Sequence, residues 1–201
     1  MFHVKHEGWD LAATVGVHLD TDTIARLERF EAFLREQALP LGMVSAADAA
    51  RLRERHVIDS LRAVPHLPPG GTVCDMGSGA GFPGIVLAIA RPELRFVLVE
   101  VRRSRAAFLA RASDDLTNVT VHARRLETFR EHVDLCTARA FGPPARSWDA
   151  AQRVLSPTGH LLYWAGASYD AATDVPNGVT ATHFTSPALA RSGPLVIMAR
   201  Q

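Results

Sequence analysis

The sequence predicts an α/β protein with one open, mostly parallel sheet of seven strands, preceded by a helical N-terminal extension. Three observations lead to this prediction. After Gly71, short apolar runs typical of buried strands alternate with helical segments. A glycine-rich loop, DMGSGAGFPG (Asp75 to Gly84), joins the first run to the first helix. The last two strand-like segments have no long helix between them, which predicts that the final strand is antiparallel.

The N-terminal part of the chain precedes the sheet. Residues 1–20 show no clear hydrophobic period, and we expect them to form a flexible arm. Apolar residues then recur at three- and four-residue spacing, and Ser45, a favourable N-cap, precedes a second helix. We therefore predict helices over 21–66 and the sheet-containing core over 71–201, together one domain spanning 21–201.

The elements of the core follow from runs of apolar residues and the turn residues between them. The strand segments are rich in Val, Ile, Leu and Phe, as expected for strands covered on both faces. They are TVCDMG, LRFVLVE, VTVH, VDLCTARA, HLLYWAG, GVTATHF and GPLVIMAR. The helical segments carry apolar residues at helical spacing, and two have proline in the first turn. They are PGIVLAIA, RRSRAAFLARAS and PARSWDAAQRVL.

Composition excludes several classes of protein. Of the 201 residues, 47% are hydrophobic and 21% are charged, which is typical of a folded domain. No apolar run approaches the roughly 20 residues of a membrane span, and the N-terminus lacks a signal-peptide pattern. Cys74 and Cys136 lie in apolar segments, so we expect buried free thiols and no metal site. These features predict a cytoplasmic protein without a membrane partner.

Arginine dominates the basic residues and is unevenly distributed. Lysine plus arginine number 22 against 21 acidic residues, and only Lys5 is lysine. Arginine suits bidentate contacts with phosphate and stacks on bases, so these clusters suit a nucleic acid partner. The alternative is that these residues lie on solvated helix faces. The clusters are Arg51, Arg53 and Arg55; Arg102, Arg103 and Arg105; and Arg124 and Arg125.

The glycine loop predicts a nucleotide-like ligand. Gly79, Gly81 and Gly84 match G-x-G-x-x-G, which lets backbone approach a ligand closely at a helix N-terminus. Glu100 ends the next strand, where an acid can bind two ribose hydroxyls. Both features suit NAD and S-adenosylmethionine equally.

Asp75 distinguishes the two ligands. It directly precedes the loop, and a carboxylate about 4 Å from a pyrophosphate would cost on the order of 4 kcal/mol at an effective dielectric of about 20. S-adenosylmethionine has no phosphate and carries an ammonium and a sulfonium, which favour a nearby carboxylate. The sequence therefore favours S-adenosylmethionine. The alternative role for Asp75 is to cap the turn.

Three segments resemble the bacterial small-subunit rRNA guanine-N7 methyltransferases, the glucose-inhibited division protein B family. They are RHVIDS (55–60), DMGSGAGFPGIVLAIARPE (75–93) and ARAF (138–141), and the resemblance extends from about Phe30 to the C-terminus. It implies a class I S-adenosylmethionine-dependent methyltransferase (Rossmann-like) fold. It also implies methylation of guanine N7 in 16S rRNA near the decoding site, with 16S rRNA or the small ribosomal subunit as partner. We expect the protein to act as a monomer.

The resemblance also implies site residues. Cofactor contacts would fall on Gly77, Phe82, Leu126, Glu127 and Arg139, beside the Asp75, Gly79 and Glu100 already singled out. RNA contacts would fall on the arginine-rich helix, where His56 and Asp59 lie three residues apart. These two residues either position the substrate or pin the helix to the sheet, and we favour the second role. We expect no catalytic general base, with Arg139 in a positioning role. The predicted RNA-facing residues are Arg51, Arg53, Arg55, His56 and Asp59.

Two departures from the family pattern leave other functions open. Ala165 stands where the family usually has lysine, and Ala138 stands where it usually has serine. One alternative is therefore a catalytically weakened protein that binds RNA or cofactor without turnover. The other is an NAD(P) oxidoreductase, against which Asp75 argues.

Overall fold

The computed structural model describes residues 8–189 and 192–201. Its seven-stranded sheet has the order β3-β2-β1-β4-β5-β7-β6, and β7 runs antiparallel to both of its neighbours. The predicted fold class is confirmed, including the antiparallel last strand. The strands are β1 (Thr72–Met76), β2 (Arg95–Val99), β3 (Val119–His122), β4 (Val133–Arg139), β5 (Leu155–Trp164), β6 (Val179–Phe184) and β7 (Leu195–Arg200).

The helices precede the sheet or connect its strands. Ser45 caps α3 as predicted, since its hydroxyl accepts from the amide of Asp48 at 3.1 Å. Among the described residues, no helix has the length and apolar character needed to cross a bilayer. The α-helices are α1 (Asp10–Thr14), α2 (Thr21–Phe33), α3 (Ala46–Ala49), α4 (Asp59–Leu61), α5 (Gly84–Ala90), α6 (Arg103–Ala112), α7 (Pro144–Ala151) and α8 (Ala171–Asp174). Within residues 8–189 and 192–201 there are also two π-helical segments, Leu34–Ala38 and Arg53–Ile58, and three 3-10 turns, Val64–His66, Leu126–Thr128 and Pro187–Leu189.

The core covers both faces of the sheet. On one face, Leu27 of α2 and Ile85 of α5 belong to an apolar cluster with Leu135 of β4. On the other face, Trp148 of α7 packs in a cluster that includes Cys74 and Cys136. These two cysteines are fully buried free thiols, paired in register on adjacent strands. Burial on both faces explains why the central strands are almost wholly apolar in sequence.

The carboxyl ends of four parallel strands meet at one edge of the sheet. Met76 of β1 pairs with Val99 of β2, and Arg139 of β4 pairs with Trp164 of β5. In open α/β sheets, ligands bind outside this edge. The glycine loop and most of the predicted site residues therefore lie at the position where a ligand is expected.

The expectation of a flexible arm does not hold for residues 8–20. Trp9, which is 5% exposed, donates from Nε1 to Glu28 Oε1 at 3.0 Å, and the Arg53 guanidinium lies 4.3 Å from its ring centre. Helix α1 follows, and Val17 is also buried. A helix of five residues is too short to show a hydrophobic period, so no pattern in the sequence indicates it. The rest of the predicted arm, residues 1–7, lies outside the described residues.

We expect Gly84→Ala to destabilise the fold. A Cβ at this buried position would lie 2.4 Å from Leu98 Cδ2 and 2.6 Å from Asp75 Oδ2. Overpacking a core by one methyl group costs about 1–3 kcal/mol. Urea unfolding measures this loss. Gly70→Ala is the matched control, because nothing lies within 4 Å of its added Cβ; equal unfolding free energies for the two variants would contradict the close packing of α5 on the sheet.

Candidate active site

The loop between β1 and α5 exposes bare backbone at the sheet edge. Gly77, Gly79 and Gly81 have φ of +70°, +55° and +98°, a region that L side chains rarely adopt. The Gly77 amide donates to Val99 O at 2.8 Å, which ties the loop to β2. A Cβ on Gly77 would lie 3.0 Å from Phe141 Cδ2. Glycine is therefore required here for both conformation and space.

Asp75 lies behind this loop, and the structure favours the capping role that the sequence left open. Its side chain is 1% exposed; Oδ2 accepts from the Gly84 amide at 3.2 Å and Oδ1 accepts from Thr137 Oγ1 at 2.7 Å. Burial raises the pKa of this carboxyl to about 6, although the hydrogen bonds act in the opposite direction. The predicted contact of Asp75 with the cofactor stays a prediction. The Asp75 carboxylate nonetheless accepts the hydrogen bond of the Gly84 amide at the start of α5. A pyrophosphate bound at this helix N-terminus would need the same amide.

Glu100 holds the loop from the end of β2. It is 4% exposed; Oε2 accepts from the Gly79 amide at 3.1 Å and Oε1 accepts from the Arg102 amide at 2.8 Å. Glu100 also lines a cavity of about 150 Å³ at the sheet edge. A carboxylate so placed can accept hydrogen bonds from two neighbouring hydroxyl groups of a ribose.

We call this cavity, together with an adjoining one, the nucleoside cavity. The adjoining space of about 250 Å³ lies between the turn Leu126–Thr128 and α7. Leu126, Glu127, Phe141 and Arg146 line both spaces. Leu126 is buried and offers an apolar surface, whereas Glu127 is exposed. The structure therefore brings Gly77, Glu100, Leu126 and Glu127 together around this cavity. Gly79 joins them through its hydrogen bond to Glu100. The apolar and acidic side chains give the cavity the polarity that an adenosine needs.

Phe82 lies on the opposite side of the loop and lines neither space. Its ring stacks on His56 with centroids 4.9 Å apart and an interplanar angle of 24°, and it meets Phe30 edge-on at 5.6 Å. The Arg139 guanidinium lies 5.9 Å from the same ring. Phe82 therefore connects the loop to the N-terminal helices, and its predicted cofactor contact stays a prediction.

A buried ion-pair network joins the RHVIDS helix to β4. Asp59, whose side chain is 5% exposed, lies between Arg62 (Nε at 3.1 Å) and Arg139 (Nη2 at 3.2 Å). Arg139 Nη2 also donates to Arg55 O at 2.6 Å, and Trp164 Nε1 donates to Asp59 O at 2.9 Å. Burial lowers the pKa of both Arg62 and Arg139, whereas the Asp59 charge opposes that change. Asp59 therefore pins the helix to the sheet, the second of its two predicted roles.

Above this network lies a second cavity of about 350 Å³, which we call the substrate cavity. Arg62 and Arg139 line it together with Tyr163 and Ala165 at the end of β5. Arg139 Nη1 is buried and has no hydrogen-bond partner among the described residues, so it can donate to a ligand. Ala140, which has φ of +54°, lines the same cavity. Arg62 is not among the predicted site residues, and its only signal in the sequence is its three-residue spacing from Asp59.

The three predicted RNA-binding arginines of the N-terminal helices are all in ion pairs. Arg51 contacts Glu54 through two hydrogen bonds of 2.5 and 3.1 Å, and Arg55 Nη1 lies 2.5 Å from Asp48. Arg53 binds Glu31, which is 1% exposed, through two bonds of 2.9 Å. Arg53 therefore holds the N-terminal helices together, and its predicted RNA contact stays a prediction. Arg51 and Arg55 line the substrate cavity.

His56 is uncharged at neutral pH. Burial, followed by the positive charge of Arg139, lowers its pKa from 6.5 to about 4. The negative charge of Asp48 raises the pKa of His56, but this effect is smaller than the two that lower it. The Asp48 carboxylate lies 3.9 Å from His56 Nε2, beyond hydrogen-bond distance. The neutral ring stacked on Phe82 supports the glycine loop from the side of the helices.

Comparison with known proteins identifies the family. The family model described as GidB, rRNA small subunit methyltransferase G, matches residues 23–184. A ribosomal RNA small subunit methyltransferase G from Wolinella succinogenes is 34% identical over 187 residues, covering 92% of this chain and 94% of the relative. One from Sorangium cellulosum is 41% identical over 165 residues, covering 77% and 69%.

Solved structures show the same fold at low identity. A putative O-methyltransferase from Klebsiella pneumoniae has a TM-score of 0.59 at 14% identity, covering 92% of each chain. A TehB-like SAM-dependent methyltransferase from Corynebacterium glutamicum has a TM-score of 0.55 at 13% identity, covering 81% of this chain and 100% of its own. The architecture is thus that of the class I methyltransferases. Since the family model spans most of the sequence, this chain belongs to the rRNA small subunit methyltransferase G family.

Proposed function

We propose that this protein transfers a methyl group from S-adenosylmethionine to N7 of a guanine in 16S rRNA near the decoding site. The observation that supports this most is the placement of two cavities on one sheet edge. The nucleoside cavity lies beside Gly77 and Glu100, at the ends of β1 and β2, and the substrate cavity lies beside Arg139 and Trp164, at the ends of β4 and β5. Because β1 and β4 are neighbours, the ligands of the two cavities can meet over β1 and β4.

The residues of the nucleoside cavity fit S-adenosylmethionine. When bound, this cofactor supplies an activated methyl group. Glu100 would bind the ribose hydroxyls, the Leu126–Glu127 turn would border the adenine, and the bare backbone of Gly77 and Gly79 would border the remainder. Asp75 acts through the loop by holding the Gly84 amide.

The residues of the substrate cavity fit an acceptor that needs no deprotonation. Guanine N7 has an in-plane lone pair and no proton, so a general base has nothing to remove. His56 is neutral and stacked, and Asp59 is bound by two arginines. What the protein can contribute is position, which alone can supply several kcal/mol. Arg139 Nη1 is the unpartnered donor available to orient the base.

We expect the single-turnover methylation rate, with RNA and cofactor saturating, to be flat between about pH 6.5 and pH 9, because no proton leaves the acceptor. His56 does not add an acid limb in that range, since its pKa is about 4. Quenched-flow measurement of methyl transfer tests this. A rate that climbs about tenfold per pH unit through neutrality would contradict guanine N7 as the acceptor.

A second candidate is a weakened protein that binds RNA or cofactor without turnover, suggested by Ala138 and Ala165. Ala138 is fully buried, and Ala165 is 6% exposed and lines the substrate cavity. The guanidinium groups of Arg62 and Arg139 line the same cavity. They provide positive charge there, although Ala165 replaces the lysine that the family usually has. This favours a working enzyme. Cofactor binding with no methyl transfer to 16S rRNA or to the small subunit would favour the second candidate.

The proposed partner is 16S rRNA, either free or within the small ribosomal subunit. We propose that the protein acts on it as a monomer in the cytoplasm.

A further inference from the structure

Arginines near the two cavities differ in how they are paired. On the side of the substrate cavity, Arg51, Arg55 and Arg139 each form an ion pair, with Glu54, Asp48 and Asp59 respectively. These arginines can bind an external anion only by sharing or giving up an internal carboxylate. Their net contribution to an electrostatic field outside the protein is correspondingly small.

Five arginines around the part of the nucleoside cavity beside Glu100 are exposed, and none forms an ion pair with another described residue. Arg124, Arg125 and Arg146 line the cavity itself. The other two are the N-cap residue and the first residue of α6, and they directly follow Val101, which also lines the cavity. We call the five the arginine rim: Arg102, Arg103, Arg124, Arg125 and Arg146.

The rim does not suit the cofactor. S-adenosylmethionine carries an ammonium and a sulfonium against one carboxylate, so its net charge is positive and nearby guanidinium groups repel it. The exposed acidic residues lining the nucleoside cavity are Glu127 and Asp149, against four exposed arginines, Arg124, Arg125, Arg146 and Arg153. The excess positive charge of the arginine rim therefore indicates that an anionic ligand, different from the cofactor, binds at the opening of the nucleoside cavity.

Val101 supports a ligand with both phosphate and apolar parts. Its side chain is 54% exposed. Among the described residues, only Leu41 is another large hydrophobic residue that is exposed. It lies between Glu100 and the first two arginines of the rim. A nucleic acid strand offers phosphates to the arginines and a ribose or base face to such a side chain.

We propose that the arginine rim binds the sugar–phosphate backbone of the RNA substrate. The strand then crosses the opening of the nucleoside cavity and delivers its target base into the substrate cavity from the β2–β3 side of the sheet. Each unpaired guanidinium can take a phosphate without first breaking an internal ion pair. This inference rests on the proposed function, and it moves the main electrostatic contact away from Arg51, Arg53 and Arg55.

Salt dependence of RNA binding tests the proposal. The probe is 16S rRNA purified from cells that lack this gene, and the dissociation constant is measured by filter binding at several salt concentrations. Two double variants each remove two positive charges from the arginine rim. One combines Arg102→Gln with Arg103→Gln, and the other combines Arg124→Gln with Arg125→Gln. The matched control combines Arg26→Gln with Arg29→Gln. It also removes two positive charges, but from arginines of α2 that form ion pairs with Asp22 and Asp115.

Each rim variant should lower the slope of log affinity against log salt by about 1.4–1.8, since each lost phosphate contact in a single or double strand contributes about 0.7–0.9. Affinity at low salt should fall about tenfold or more, whereas the control keeps the wild-type slope. Binding of S-adenosylmethionine to the variant with Arg102→Gln and Arg103→Gln, measured by calorimetry, should be unchanged or tighter, because neither residue lines the cavity and the cofactor has a net positive charge.

Unchanged slopes in both rim variants would overturn the proposal and leave the proposed function intact. A loss seen only with the assembled small subunit, and not with free rRNA, would also overturn it, because the rim would then contact a protein. Failure of the wild-type protein to methylate either form of rRNA would instead refute the proposed function.

Discussion

We expect Asp59→Ala to lower the free energy of unfolding by about 3–5 kcal/mol, the cost of removing one partner from a buried ion pair. The substitution leaves Arg62 and Arg139 facing each other without the carboxylate that both contact within 3.2 Å. It should also abolish methyl transfer under conditions in which the protein remains folded, because Arg139 loses its fixed position. Urea unfolding and single-turnover assays measure the two effects.

A matched exposed carboxylate separates this network from a general charge effect. Asp22 is paired with Arg26 at 2.9 Å, but its side chain is 72% exposed, so Asp22→Ala should change stability little. Adding Arg62→Met to Asp59→Ala removes one of the two uncompensated charges and should restore part of the stability. If Asp59→Ala proved as stable as Asp22→Ala, the ion-pair network could not be what joins the RHVIDS helix to β4.

Glu100→Ala should weaken S-adenosylmethionine binding by about 1.5–3 kcal/mol, the scale for losing hydrogen bonds to a charged group. This corresponds to roughly 10- to 150-fold in affinity. The same carboxylate holds the amides of Gly79 and Arg102, so its removal also loosens the loop. Isothermal calorimetry with S-adenosylmethionine and S-adenosylhomocysteine measures the effect.

The control for Glu100 is Glu127→Ala. Glu127 lines the same cavity but is exposed, and a backbone contact from this turn would survive the substitution, so affinity should fall much less. NAD should not bind the wild-type protein comparably. Tight NAD binding, or equal losses for the two variants, would contradict the role assigned to Glu100.

The strands of the sheet were predictable because burial on both faces leaves a local sequence signal. VDLCTARA became β4 (Val133–Arg139), and LRFVLVE became β2 with Glu100 just beyond it. The glycine loop was equally clear, since Gly77, Gly79 and Gly81 all adopt positive φ. These features depend on residues close together in the chain.

The roles of charged residues were less predictable because their partners are distant in the chain. Arg53 is held by Glu31, 22 residues away, and Arg62 Nη1 donates to Gly193 O, 131 residues away. No local pattern indicates such pairs. The sequence likewise placed Asp75 at the strand end correctly but could not show that its carboxylate turns behind the loop toward Thr137.

The most direct test of the central claim is to locate the methyl group. Purified protein is incubated with methyl-deuterated S-adenosylmethionine and 16S rRNA or small subunits from cells that lack the gene, and the RNA is digested to nucleosides for mass spectrometry. The proposed function predicts labelled N7-methylguanosine, absent with the Asp59→Ala protein under conditions in which it is folded. Label on another nucleoside or another guanine position, or no label although the cofactor binds, would contradict it.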